Sequence, residues 1–454
     1  MTTHQLLSVV PRTAGNVHVF SHPVQPRLLV VGGHGDVREL DASSGLVVAS
    51  GSLSLPAADS AVGGTALVRG RRRNYVVTLG RGGSVGMWDI DMQTPHLTRM
   101  LKGDKLRGQE VGCVCGTQQP DGLFAYMFAV RARSSTIQAI RLQPFGIAHE
   151  KVASDPSATV QAMCCHPNRP WLLTSQGQPQ GPPESNSQYD NDVRIWDYSG
   201  LMCLDKGSST GGRGRQVFMN HDTGSSGGAI EDEFEEEIIR GKLQLVAICR
   251  RGDSINLSPN YSLRFTSLAI SRGKHNLLVA IGENGLLLWS LASVLVQNSD
   301  EIDSAIAANS TPSSKRNRSR IMSESSAIEI HAIARQTWGS GSNSSGAQGG
   351  ITYPARVAFD EQAPLLHLIT RHTNNKGTSV YLDTLSLLPL HLSEIEPKNQ
   401  SPLPWIASTH ISKQGRGSSR HNFHQIGETQ DAHLIAHPLY RQIVVVPLYS
   451  KTIR

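Results

Sequence analysis

Aromatic side chains make up only 5% of this 454-residue chain, cysteine occurs six times, and no apolar run is long. Each shortage excludes something. No stretch approaches the roughly 20 apolar residues that a membrane-crossing helix needs, because Gly, Glu or Asn interrupts every candidate. The start, MTTHQLLSVVPR, lacks the basic segment and the long apolar segment of a secretory leader, so a cytoplasmic location is expected. Six cysteines spread over this length form no dense disulfide framework, which agrees with a reducing compartment. Charge is also modest, at +6 with a pI near 9.0. No basic stripe with interleaved aromatics accompanies it, so direct nucleic-acid binding is not expected.

What the chain has in quantity is turn residues, 43 Gly and 23 Pro. That composition suits many short strands joined by surface loops better than a helix bundle. The strands repeat. Residues 21–31 read SHPVQPRLLVV, 165–174 read CHPNRPWLLT, and 436–446 read AHPLYRQIVVV. In each, a His-Pro pair (His22, His166, His437) leads through polar positions into a Leu/Ile/Val run. Proline fixes φ and removes a donor, so it belongs in the turn before a strand. The run that follows reads as a strand buried on both faces.

A second phrase repeats downstream. Residues 36–45, DVRELDASSG, match 192–200, DVRIWDYSG, with Val37 on Val193, Leu40 on Trp196 and Asp41 on Asp197. Residues 74–91 carry Trp88 and Asp89 at the same place, and 276–290 carry Trp289. Residues 124–142 read as two strands around a Ser-Ser turn, and 355–387 as a degraded sixth unit. A seventh starts at Ala432 and stops early, so either the N-terminal strand HQLLSVV completes it or, the reading slightly favoured, the chain is cut from a longer protein. Short strands at this spacing mean a propeller or a solenoid.

The Trp88-Asp89 and Trp196-Asp197 dipeptides, with their upstream turns, resemble the blades of WD-repeat (WD40) β-propellers. The resemblance implies an all-β fold of about seven four-stranded blades, six recognisable and one incomplete, spanning residues 1–454 as one domain. The chain departs from the family where the Gly-His dipeptide is missing and where Leu40-Asp41 and Trp289-Ser290 match by half. CHPNRPWLLT followed by IWDYSGLMCL is further similar to blades of coatomer-type vesicle coats. The order of landmarks is like that of the WD-repeat subunits of TSET/TPLATE adaptor complexes.

Polar, Gly/Ser-rich or charged stretches at about 176–191, 205–240, 298–326, 339–350 and 410–420 are expected to be flexible insertions. One holds the acidic run EDEFEEE (231–237), another the basic SSKRNRSR (313–320). On composition they read as solvated loops suited to partners.

Candidate chemistry is thin. Cys164, Cys165 and His166 stand together, but zinc wants paired ligands such as C-x-x-C. Neighbouring strand residues point to opposite faces, so the two thiols cannot share a metal. Cys113-x-Cys115 has no second pair at finger spacing. The glycines of LGRGGSVG (79–86) lead into a strand rather than a helix, which makes them a hairpin turn and not a phosphate cradle. The basic cluster RGRRRN (69–74) reads as an exposed loop. His22, Asp41, Trp88, Asp89, His166, Trp196, Asp197, Trp289 and His437 are therefore expected to be structural blade positions, with no catalytic, metal or cofactor site.

The function expected is a non-catalytic scaffold within a multiprotein complex, of a membrane-trafficking coat or adaptor type, touching membranes through its partners. A nuclear or RNA-associated scaffold, and an enzyme using a central channel, stand as alternatives.

Overall fold

A computed structural model describes residues 18–32, 35–44, 46–52, 62–70, 73–80, 84–91, 96–102, 111–117, 119, 125–132, 134–142, 145–151, 159–177, 192–203, 237–240, 242–250, 265–271, 276–282, 285–295, 327–338, 351–360, 363–374, 377–388, 403, 405–415, 432–436 and 443–447. Within them His18–Ser21 (β1), Arg27–Val31 (β2), Asp36–Asp41 (β3) and Val47–Ser52 (β4) form an antiparallel sheet in that order. A second sheet is Val62–Arg69 (β5), Asn74–Gly80 (β6), Ser84–Asp89 (β7) and His96–Lys102 (β8). A third begins with Val111–Gly116 (β9), Tyr126–Arg131 (β10), Thr136–Leu142 (β11) and Phe145–Lys151 (β12).

The fourth contains Thr159–Cys165 (β13), Trp171–Gly177 (β14) and Val193–Asp197 (β15). Met202–Cys203 (β16) and Glu237–Arg240 (β17) follow in the chain, and Gln244–Arg250 (β18) is the fourth strand of that sheet. The fifth is Phe265–Ile270 (β19), Leu277–Gly282 (β20) and Gly285–Ser290 (β21), closed after Ile328–His331 (β22) by Ala334–Thr337 (β23). Ile351–Phe359 (β24), Leu365–Asn374 (β25), Gly377–Ser386 (β26) and Trp405–Gly415 (β27) make the sixth. Ala432–Ala436 (β28) and Ile443–Pro447 (β29) make a two-stranded seventh.

The seven sheets form a ring. First strands touch in the sequence β5, β9, β13, β19, β24, β28, β1. The ring closes between the first two blades through a core of Leu29, Val31 and Val37 with Leu67, Val76 and Trp88. This is a seven-bladed β-propeller, with two strands of the seventh blade among the described residues.

Packing explains why the apolar runs are continuous rather than alternating. In β14, Trp171 and Leu173 face the core shared with the fifth blade, whereas Leu172 faces the core shared with the third. In β20, Leu278 and Ala280 join the fourth blade while Leu277, Val279 and Ile281 join the sixth. A strand in the middle of a blade has two buried faces, so its period of two is hidden by apolar residues on both.

Three of the expected insertions have different bounds. Gln176 and Gly177 end β14, buried, because Thr159 and Val160 of β13 pair with them. Residues 237–240 are β17, which pairs with β12 and β16. Residues 410–415 extend β27, paired along β26. In each case backbone pairing to a neighbouring strand offsets a polar composition. The remaining parts of those insertions, and the stretches 298–326 and 339–350, lie outside the described residues.

Candidate functional site

The repeated positions meet at turns and at junctions between blades. His22 leaves β1 and is fully buried. Its Nδ1 accepts hydrogen bonds from the backbone N–H groups of Val24 (3.2 Å) and Gln25 (3.0 Å). That leaves Nε2 as the donor, 2.9 Å from Asp91 Oδ1 in the second blade. Asp91 also accepts from the Asn74 backbone N–H (2.7 Å) and from Asn74 Nδ2 (2.9 Å). One carboxylate thus ties the first turn to the second blade. Burial lowers the His22 pKa, with Asp91 opposing.

His166 holds the same place in the fourth blade with different partners. Its Nδ1 accepts the Asn168 N–H at 3.1 Å, and its ring sits edge-on to Trp171 at 5.4 Å. Its buried Nε2 has no hydrogen-bond partner among the described residues. Burial pushes its pKa down to about 4, with Arg169 adding to the shift. An imidazole that stays neutral, with no carboxylate to orient it, is poorly equipped as a general base.

Cys165 belongs to the core between the third and fourth blades, and Cys164 packs toward the fifth, so the two do point to opposite faces. Burial raises the pKa of Cys164 well above the ordinary thiol value and pushes Cys113 up to about 12. A thiol held protonated is neither a nucleophile nor a metal ligand. Cys115 Sγ lies 3.6 Å from Cys165 Sγ, a pairing between blades that no spacing in the chain announces. No group of three or more His, Cys, Asp or Glu suited to a metal ion occurs among the described residues.

The tryptophans anchor the third strands. Trp88 Nε1 donates to Thr78 Oγ1 at 3.1 Å, and Trp196 Nε1 to Thr174 Oγ1 at 3.0 Å, each across to the second strand of its own blade. Trp289 instead reaches the carbonyl of Arg250 in the fourth blade, at 2.8 Å.

The aspartates differ more. Asp41 Oδ1 accepts from the backbone N–H and the hydroxyl of both Ser43 and Ser44. These donors, the Ser43 hydroxyl first, lower its pKa to about 2. Asp197 accepts the Ser199 N–H at 2.6 Å, the same turn in reduced form. Asp89 is buried, pairs with Arg73 and accepts the Asp91 N–H at 3.0 Å. His437 lies outside the described residues.

Sequence reasoning missed the outer rim. Beyond the fourth strands, β17 pairs in parallel with β12 (Gly146 with Glu237, Ile147 with Ile238), and β16 extends that edge. Strand β22 pairs in parallel with β18, from Ala247 with Ile328 to Arg250 with His331. Arg250 fastens this edge, with Nη1 2.7 Å from Asp192 Oδ2 and Nη2 3.1 Å from Glu329 Oε1. The signals were two four-residue pieces, EIIR and IEIH, in polar surroundings.

No protein-family model matches the chain, and no curated relative does. Among solved structures, the β-propeller domain of Cps50 (Swd1) from Myceliophteria thermophila is 9% identical, with a TM-score of 0.49 over 96% of this chain and 94% of its own. The structure of U3-55K is 10% identical, with a TM-score of 0.44 over 90% of this chain and 84% of that one. The RRP9 WD40 repeats are 9% identical, again at 0.44, over 90% and 83%. Likeness at this level decides nothing on its own. The propeller stands on the ring of sheets itself.

Proposed function

We propose that this chain is a non-catalytic scaffold that binds other proteins within a multiprotein complex. One observation carries the reading: side chains of reactive type are engaged in turns and blade junctions, while the rim of the propeller takes extra strands. His22, Asp41, Asp89 and Asp197 hold backbone or neighbouring blades, and burial raises the Cys164 pKa well above the ordinary thiol value. Rigid blades with an edge that accepts extended segments suit recognition rather than turnover.

The finer form of the proposal is a subunit of a membrane-trafficking coat or adaptor, cytoplasmic and held at membranes through its partners. Its support is the similarity of CHPNRPWLLT and IWDYSGLMCL to coat-type blades. Affinity purification of the tagged full chain, followed by mass spectrometry and membrane fractionation, tests it. Co-purification of large and small coat subunits from the membrane fraction is the expected result. Recovery of RNA-processing or chromatin factors alone would replace the trafficking assignment with a nuclear one.

A further inference from the structure

The extra strands follow a rule. Those on the third blade, β16 and β17, come from the connection between the third and fourth strands of the fourth blade, residues 198–243. The strand added to the fourth blade, β22, comes from the same connection of the fifth, residues 291–333. In both cases a blade with a long connection covers the outer edge of the one before it. Between β7 and β8 of the second blade the connection is only residues 90–95. It is too short to run out, lie along the first blade and return.

The consequence is visible in β18. Under its cover, β18 buries every residue from Leu245 to Cys249. Strand β22 contributes buried Ile330 and half-buried Ile328, with Glu329 turned outward to Arg250. At the same place in the first blade, Leu46, Val47 and Val48 are 68%, 48% and 54% exposed beside a β4 edge that no other described strand pairs. One face of this strand is open at Gly51 as well, where a built Cβ meets no described atom within 4 Å.

Other fourth strands that no described strand covers carry charged residues, which discourage pairing. HLTRMLK of β8 has Arg99 and Lys102, ARQT of β23 has Arg335, and WIASTHISKQG of β27 has Lys413. VVASGS of β4 has none.

We propose that the outer edge of β4, Val47–Ser52, is a docking site for a short extended segment of a partner protein, added in parallel as a fifth strand. The segment carries Val, Ile or Leu at alternate positions and no charge on its inward face, because β4 offers apolar side chains and no counter-ion. The covers already present argue for this occupant, since both β17 and β22 are four residues long, parallel and isoleucine-bearing. A second copy of the chain fits less well. Pairing six-residue β4 with its own copy joins a strip about 20 Å long and one strand wide. Stable interfaces bury on the order of 1,200 Å² or more.

This deepens the scaffold reading and rests on it. The probe is a fluorescein-labelled soluble peptide alternating threonine with valine, added to the full chain and followed by anisotropy and by amide hydrogen exchange. Binding with protection centred on Val47–Ser52 is expected. The double variant Val47→Lys/Val48→Lys should weaken binding about tenfold or more with an unchanged Tm, and should lose at least one partner in affinity purification. Peptide protection elsewhere, equal binding to the double variant, or an unchanged partner set would overturn the β4 site while leaving the scaffold reading intact. A wild-type chain that recovers no stoichiometric partner would overturn the scaffold reading itself.

Discussion

His22 and His166 begin the same phrase in two blades, yet they are held in opposite ways. His22 uses both ring nitrogens, two backbone donors on one side and the Asp91 carboxylate of the next blade on the other. His166 uses one nitrogen for its own turn and leans on Trp171, leaving Nε2 buried without a partner among the described residues. The first blade is therefore pinned to its neighbour by a polar link. The His-Pro turn of the fourth has no such link from its ring among the described residues and rests on packing against Trp171. A shared turn shape does not impose a shared source of stability.

If packing dominates the fourth blade, its tryptophans carry the largest effects. Trp196 is buried between the third and fourth blades and bonded to Thr174. Trp196→Ala should cost about 3–5 kcal/mol, read as a drop in Tm or in the denaturation midpoint. A change below about 1 kcal/mol would remove it from the core.

The pH dependence should separate the two histidines next. His166 titrates at about 4 in the folded chain against 6.5 ordinarily. Between those values the unfolded state binds a proton that the folded state excludes. Its contribution is thus complete above pH 6.5 and is lost as pH falls toward 4, roughly 3 kcal/mol in all. Denaturant midpoints measured from pH 7 to pH 4 should fall less steeply in His166→Phe than in the wild type. The His22 pKa is also lowered, but Asp91 counteracts burial there, so His22→Phe should alter that slope less.

Breaking the polar link is the third test. Asp91→Ala strands the His22 Nε2–H and both Asn74 donors, at a cost of about 2–3 kcal/mol for partly buried groups. His22→Phe should cost about as much, and the double variant less than the sum, because both remove one link. Additive losses in chemical denaturation would mean that the pair is not coupled.

Much of the ring was legible in the chain, and the reason is local. RLLVV, WLLTSQG and LLVAIG become second strands with two buried faces, and such strands leave continuous apolar runs. Trp88, Trp196 and Trp289 all fall on third strands, where their alignment placed them. Partners across blades were not legible. His22 and Asp91 are 69 positions apart, and Cys115 and Cys165 are 50 apart, with no motif connecting them. The rim strands EIIR and IEIH escaped because four residues are too few for periodicity to register. Asp89 shows the limit of aligning by residue type: it matches Asp41 and Asp197 in sequence but pairs with Arg73 rather than with a following serine.

The smallest expected effect is the most discriminating. His166→Phe keeps a flat ring against Trp171, removes a buried unpartnered nitrogen, and gives up one bond to the Asn168 N–H. Losing that bond costs about 1 kcal/mol, while removing an unsatisfied buried polar atom returns a similar amount. The two nearly cancel, so the stability at pH 7 should move by less than about 1 kcal/mol in either direction. A loss matching that of His22→Phe would mean that Nε2 has a partner after all, and the contrast between the two turns would collapse to one of identity rather than mechanism.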